Sequence, residues 1–361
     1  MTKPNKDAVY VIAEAGVNHN GQRDLAFKLV ELAAQAGADA VKFQTFDARK
    51  LASVSAPKAL YQQQTTDAAQ SQLAMLKQLE LPREWHAELQ AHAAACGIEF
   101  ISTAFDTDSL AFLVSLGIPF FKVPSGELTN GPLLWQFART GKPLILSTGM
   151  ATLSEVEQGL AIVAHGLVNE REPAGMDEVW RCWSDESVRR KLQGHVTLLH
   201  CTSQYPTPLS EVNLLAMDTL RRAFGLEVGY SDHTEGLLVP VAAVARGARV
   251  IEKHFTLDRT MPGPDHKASL EPDELAQMIV QIRGVEQAFG VAAKSPQPSE
   301  WDTRKAARQQ VITVRDIAQG ERFAREDLST ARCGGGLPAV SLWERVGTTA
   351  SKAYRAGEAI E

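Results

Sequence analysis

Residues 9–46 read VYVIAEAGVNHNGQRDLAFKLVELAAQAGADAVKFQTF. The stretch opens with an apolar β-rich run, Val9 to Ala13, and continues through an amphipathic helical pattern that Gly37 closes. It ends on a second apolar run, Ala40 to Phe43, so it predicts one strand–helix–strand unit with parallel strands. A strand covered on both faces should stay apolar until it surfaces, yet the first one ends on Glu14. That carboxylate is either a solvated turn residue or part of a site.

The same unit recurs along the chain. Further strands are predicted at Glu99 to Ile101, Phe120 to Val123, Leu144 to Leu146, Val196 to Leu199, Glu227 to Tyr230 and Val250 to Glu252. Helical stretches such as DSLAFLVSLG and EPDELAQMIVQIRGVEQAFG lie between or after them. Eight units that close on themselves give an α/β fold, a (β/α)8 TIM barrel, over residues 1–293. Every strand leaves on polar residues: Glu14, then KFQT, STAFD, KVPSGE, LSTG, HCTSQY, YSDH and EKHF. Independent solvated turns would supply scattered Asp, Asn and Gly, whereas these exits supply Lys, His, Ser, Thr and Glu. Active sites of this fold lie at that C-terminal face.

Lys42, Lys122 and Lys253 with Thr103, Ser125, Ser147 and Ser231 predict a cationic, hydroxyl-rich mouth suited to a phosphate and a carboxylate. Singly, each lysine reads as a snorkelling strand-end residue. His200, His233 and His254 end strands six, seven and eight. Two neutral imidazoles with water or substrate oxygens make an open divalent-metal site, and general acid–base histidines are the competing reading. A lone His200 reads as a structural histidine. The stretch 45–70 follows a strand and is the lid candidate, whereas the Trp-containing insertion 166–194 precedes a strand and so belongs on the opposite face.

A net charge of −6 and a pI of about 5.9, with no dense basic patch, argue against nucleic-acid or membrane-surface partners. Cys96, Cys182, Cys201 and Cys333 have no metal-type spacing, and MTKPNKDAVY lacks a signal-peptide core, so the reading is cytoplasmic. Residues 294–308 have linker composition. Residues 309–361, with AQGE, a triple glycine and YRAGEAIE, predict a small all-β module, in which Arg332 reads by spacing as a surface charge.

Taken in order, AEAGVNHNG, AVKFQTF, ISTAFD, KVPSGEL, LSTGMAT, LLHCTSQYPTP, GYSDHTEG and IEKHFTLDRTMPGPDH resemble the bacterial sialic acid synthase family, N-acetylneuraminate synthase and its legionaminate relatives. The C-terminal module resembles the family's antifreeze-like (SAF) domain. The resemblance implies condensation of phosphoenolpyruvate with an N-acylated mannose-type sugar, N-acetylmannosamine by default or a diacetamido-trideoxy sugar as the alternative. It implies His233 and His254 as ligands of a manganese-type divalent ion, magnesium being the alternative, and excludes His200. Lys42, Thr103, Lys122, Ser125, Ser147, Ser203 and Ser231 match phosphoenolpyruvate-binding positions, Ser203 standing where some members have asparagine. Glu14 matches the acid that orients acceptor and water, and Glu127 and Phe105 match supporting catalytic positions. Gln44, Tyr205, Asp265 and Arg332 match acceptor-side positions, Arg332 acting in the other chain of a domain-exchanged homodimer. RCGGG replaces the family's usual Arg-Pro-Gly-Asn-Gly turn. A Schiff-base aldolase using Lys122 and a non-catalytic carbohydrate-binding protein are the competing functions.

Overall fold

The computed structural model describes residues 8–59, 62–63, 66–67 and 70–361, in two compact units divided between Gly290 and Val291. The predicted lid lies partly outside the described residues. In the first unit all eight predicted strands are present: β1 Tyr10–Gly16, β2 Ala40–Thr45, β3 Glu99–Ala104, β4 Phe121–Val123, β5 Leu144–Ser147, β6 Val196–His200, β7 Glu227–Asp232 and β8 Val250–His254. All but β4 run past their predicted C-terminal ends, so some of the polar residues read as exits, among them Gln44, Thr103, Ser147, Ser231 and His254, are themselves strand residues.

The strands form one parallel sheet in the order β3-β2-β1-β8-β7-β6-β5-β4. β3 and β4 are neighbours without a ladder among the described residues, which leaves a nearly closed TIM-like barrel. The helix Arg23–Ala36 shows how the wall is made. Ala26, Leu29, Val30 and Ala33 repeat at helical spacing and are its buried face. Gly37 then takes the left-handed conformation, φ 86°, and its N–H closes on the Ala33 and Ala34 carbonyls. Each such Leu or Val, once buried, contributes about 1.5–3 kcal/mol.

Register decides what meets at the rim. Glu14 is level with Lys42 on β2 and with His254 on β8, and Ser231 on β7 is level with Glu252. A bulge interrupts β1 between Glu14 and Gly16. Gly16 has φ +52°, and a Cβ there would sit 3.2 Å from Glu14 Oε1 and 3.3 Å from Gln44 Nε2. The bulge thus brings backbone close against the carboxylate that opened the question.

The insertion forms the helices Met176–Trp183 and Glu186–Arg189 and the turn Arg190–Leu192, buried through Val179 of the first helix and Leu192 of the turn, and leads into the N-terminal end of β6 as the sequence predicts. Among the described residues no helix is long and apolar enough to cross a membrane.

The second unit has a small core of Val311, Ile317, Phe323, Leu328, Leu342, Ala350, Tyr354 and Ile360. Its one ladder joins β9 Gln310–Thr313 to β10 Leu328–Ala331, antiparallel, with isolated bridges such as Ile317 to Tyr354. Short helical turns at Arg325–Asp327 and Leu342–Arg345 interrupt the predicted all-β pattern. The predicted linker carries the helix Trp301–Ala307, which buries none of its residues; with no apolar stripe, its polar sequence reads as linker.

Candidate active site

A cavity of about 380 Å³ opens at the C-terminal ends of the strands. It is lined by Glu14, Lys42, Gln44, Thr103, Phe105, Lys122, Ser125, Ser147, Ser203, Tyr205, Ser231, His233, His254 and Asp265. Of the residues predicted from the sequence, these are the ones brought together. His200 does not line it; its Nε2 is 2.8 Å from the Val212 carbonyl, a structural role as predicted.

Within the first unit two predicted residues, Glu127 and Lys253, lie elsewhere. Glu127 belongs to the turn Ser125–Glu127, is absent from the cavity lining, and accepts a 2.6 Å bond from Asn130 Nδ2. Asn130 caps the next helix through the Leu133 N–H, so here Glu127 braces a helix start. Arg332 is in the second unit and exposed. Lys253 is the clear correction. It is wholly buried with its ammonium 2.5 Å from Asp232 Oδ2 and bonded to the Thr234 carbonyl, away from the cavity. Successive strand side chains alternate, so His254 facing in means Lys253 faces out and Glu252 faces in.

Glu252 is the site residue that sequence reasoning missed, and that parity was the signal for it. Its Oε1 lies 3.1 Å from Lys122 Nζ and accepts a 2.8 Å bond from Ser231 Oγ, while Oε2 is 3.6 Å from Lys42 Nζ. Lys42 Nζ is also 2.7 Å from Glu14 Oε2 and donates to Thr103 Oγ1 at 3.1 Å. Two lysines and two carboxylates therefore interlock. Burial would push Glu252 up, but Lys122 and Lys42 outweigh it and hold the carboxyl below the usual range. Burial opposes the Lys42 charge, yet Glu14 and Glu252 hold its ammonium above the ordinary value. Glu14 goes the other way from Glu252: burial raises it despite Lys42, making it the carboxylate of the cluster that takes a proton most readily. Burial, reinforced by Glu14, also lifts Asp265 to about 7.

The hydroxyls are held as a cradle. Ser125 Oγ accepts from the Gly149 N–H at 3.0 Å and lies 3.1 Å from Cys201 Sγ. A side chain at Gly149 would start 2.7 Å from Cys201 Sγ and 2.8 Å from Ser125 Oγ, so only glycine leaves this wall open. Ser147 Oγ is buried without a partner among the described residues. Buried donors left open at a cavity wall await an acceptor.

His233 and His254 have ring centroids 5.4 Å apart, and Tyr205 stacks on His233 at 4.1 Å. His233 Nδ1 donates to the Thr202 carbonyl at 2.6 Å, which fixes the tautomer with Nε2 as the lone-pair atom. His254 Nδ1 is buried without a hydrogen-bond partner among the described residues, 4.0 Å from Asp265 Oδ2. Burial pushes His233 down to about 4 and His254 well below its usual value, keeping both neutral. Neutral imidazole with an oriented ring is the ligating form, so the pair fits a divalent ion. Among the described residues no third His, Cys, Asp or Glu joins them, so the remaining positions would be open to water or substrate.

The NHNG segment that follows β1 has a supporting part. Asn18 Nδ2 donates to the Phe255 carbonyl at 2.8 Å, and Asn20 Oδ1 is 3.1 Å from His266 Nε2. Both tie down the loop that carries Asp265.

A family model described as the NeuB family matches residues 29–294. The chain is 46% identical over 350 residues to N,N'-diacetyllegionaminic acid synthase of Campylobacter jejuni, covering 97% of this chain and 98% of that protein. It is 43% identical to the N,N'-diacetyllegionaminic acid synthase of Legionella pneumophila, covering 97% and 93%. The crystal structure of N-acetylneuraminic acid (sialic acid) synthetase from Leptospira borgpetersenii, in complex with citrate, aligns with TM-score 0.68 at 30% identity, over 84% of this chain and 94% of that one.

Proposed function

The chain belongs to the NeuB family, phosphoenolpyruvate-using condensing synthases of the sialic and legionaminic acid type, and we propose that this member is an N,N'-diacetyllegionaminate synthase. It would join phosphoenolpyruvate, 2,4-diacetamido-2,4,6-trideoxymannose and water into a nine-carbon 2-keto sugar acid and phosphate. One observation carries the choice of acceptor: identities of 46% and 43% to two legionaminic acid synthases, each over 97% of this chain. N-acetylmannosamine, the default acceptor by resemblance, gives way to the diacetamido sugar on that ground. Membership in a family of synthases also removes the non-catalytic binding protein.

The cavity supports this chemistry. Lys122, Ser125, Ser147, Ser203 and Ser231 present a cation and hydroxyls to the phosphate and carboxylate of phosphoenolpyruvate. Lys42, fixed between Glu14, Glu252 and Thr103, adds a second cation. His233 and His254 would hold a manganese-type divalent ion, which supplies Lewis acidity to the sugar aldehyde. C3 of phosphoenolpyruvate forms the new bond to aldehyde carbon C1, and the electron pair passes to the aldehyde oxygen. Water then adds to the C2 cation and gives up one proton, matching the proton that the new alkoxide takes up; phosphate leaves as its C–O bond breaks, and the C2 hydroxyl loses its proton to give the keto group. Glu14, beside His254 and raised by burial, is placed to orient water and accept the proton that water gives up. Asp265, Gln44 and Tyr205 stand on the acceptor side of the same cavity.

Phosphate release from phosphoenolpyruvate, measured with each acceptor sugar, tests the reading. The diacetamido sugar should give the higher kcat/KM. Turnover with N-acetylmannosamine and none with the diacetamido sugar would overturn the choice of acceptor.

A further inference from the structure

The cavity has two unlike arcs. From β4 to β7 the lysine and hydroxyl groups of Lys122, Ser125, Ser147, Ser203 and Ser231 line it, with Pro124, Gly126, Met150 and Cys201 between them. On the side of β1 to β3, beyond the strand-end groups Glu14, Lys42, Gln44 and Thr103, it is lined by Val17, Met75, Leu76, Leu79 and Phe105. These five belong to a hydrophobic cluster distinct from the barrel core, in which Val17, Met75 and Leu79 are buried and Leu76 and Phe105 only partly so. Met75 and Leu76 lie on the helix Gln72–Gln78, with Leu79 as its C-cap, within the segment joining β2 to β3. Its N-cap Ser71 accepts from the Ala74 N–H at 3.2 Å, and just past its C-terminal end Glu80 Oε1 accepts from the Ala48 N–H at 2.7 Å, which ties that end to the start of the β2–β3 segment. An apolar wall therefore faces the same cavity as the anion cradle.

We propose that this wall selects the acceptor, reading the methyl-terminated edge of a 6-deoxy, N-acylated sugar; the inference rests on the synthase reading above. The aldehyde carbon must lie between the phosphoenolpyruvate cradle and the Glu14–His254 edge, because the new bond forms there. The far end of the sugar then projects towards Val17, Leu76 and Phe105. A C6 methyl buries apolar area against Leu76 and Phe105, whereas a C6 hydroxyl loses water and meets side chains that can neither donate nor accept. The sugar's acetyl methyls gain from the same surface. Gln44, Gln62, Tyr205 and Asp265 remain for the polar groups of the sugar, and Gln44 Nε2 already bonds Glu14 Oε1 at 3.3 Å.

The test compares kcat/KM for 2,4-diacetamido-2,4,6-trideoxymannose with that for its 6-hydroxy counterpart, in the wild type, Leu76→Asn and Leu76→Met. An apolar site rejects an added hydroxyl by about 10- to 100-fold, so the wild type should prefer the 6-deoxy sugar by that ratio. Leu76→Asn should shrink the ratio by about tenfold while the KM for phosphoenolpyruvate stays within about twofold, and Leu76→Met should keep the preference. Wild-type turnover of both sugars at equal efficiency would overturn the wall and leave the synthase standing. A parallel loss on both sugars in Leu76→Asn would likewise overturn it, since that marks a merely structural residue. Wild type that turns over neither diacetamido sugar would remove the synthase reading and the wall together.

Discussion

Lys42 and Lys253 are buried alike, 2% and 0% exposed, and each is paired with a carboxylate. They do opposite things. Lys253 lies behind the strands, its ammonium spent on Asp232 and the Thr234 carbonyl in a closed local set. Lys42 faces the cavity, between two carboxylates that are themselves shared with Lys122 and Gln44. Among the described residues Glu252 Oε2 has no hydrogen-bond partner, and neither has Ser147 Oγ in the same cavity. Both clusters cost desolvation, so neither is explained by stability alone. What separates them is strand parity and the open cavity on one side. Burial and pairing do not by themselves mark a site.

The cavity side should show the largest effects. His233→Ala and His254→Ala are each expected to abolish turnover while circular dichroism stays unchanged, because a site with two protein ligands does not hold its ion after losing one. EDTA should silence the wild type and manganese restore it. Full activity of either variant in chelator would break the division between the two sides. Behind the strands the expected loss is in folding. Lys253→Met leaves Asp232 buried without its cation, which costs about 3–5 kcal/mol of stability. Denaturant midpoints should fall accordingly, with kcat per folded molecule retained. A variant as stable as the wild type but inactive would move Lys253 into the chemistry.

Lys253 also marks the limit of what was legible in the sequence. The eight strands could be read because each carries an apolar run and all but the first follow a helical stretch and turn residues. Their C-terminal ends could not, since polarity there looks like a turn until the register is known. Lys42, Lys122, Ser147, Ser231, His233 and His254 were legible as strand-end residues that converge once a barrel closes. Lys253 was misplaced because the lysines were counted without alternation, and the same omission hid Glu252. Val17, Met75, Leu76 and Leu79 carried no chemical signal: an apolar wall at a mouth reads as ordinary core until the cavity is seen. The helix Trp301–Ala307 went unread for the converse reason, having no buried face to imprint a period.

A smaller effect sharpens the comparison within the cavity cluster. Lys122→Met keeps the stem and removes the charge opposite Glu252. A charge-assisted contact to phosphate or carboxylate is worth about 1.5–3 kcal/mol, so kcat/KM for phosphoenolpyruvate should drop roughly 10- to 150-fold. Steady-state kinetics at saturating acceptor would show it, and unchanged KM and kcat would remove Lys122 from the anion site. Borohydride with pyruvate should trap nothing on the wild type, since a Schiff-base lysine is not required.

The smallest effect concerns two histidines that share one protonation state and differ in what they face. His233 lines the cavity, and His86 is buried behind β2 and β3. Burial lowers each to about 4. His86 has both nitrogens committed: Nδ1 donates to the Pro82 carbonyl at 3.1 Å, which leaves Nε2 to accept from Thr45 Oγ1 at 2.7 Å. A folded value near 4 against about 6.5 unfolded means the unfolded chain binds more protons between those limits. The stability is therefore complete above about pH 6.5 and is lost as pH falls towards 4. For His86 the loss between pH 7 and pH 5 should be about 1–2 kcal/mol. His19 and His266 are also held near 4 by burial, so the wild-type slope is shared and the informative quantity is its change on substitution. His86→Gln cannot protonate, and its denaturant midpoint should fall less than that of the wild type over the same interval. An identical slope in the two proteins would show that His86 is not held neutral by burial, and the contrast between a histidine committed to the fold and one free for a ligand would then have to rest on geometry alone.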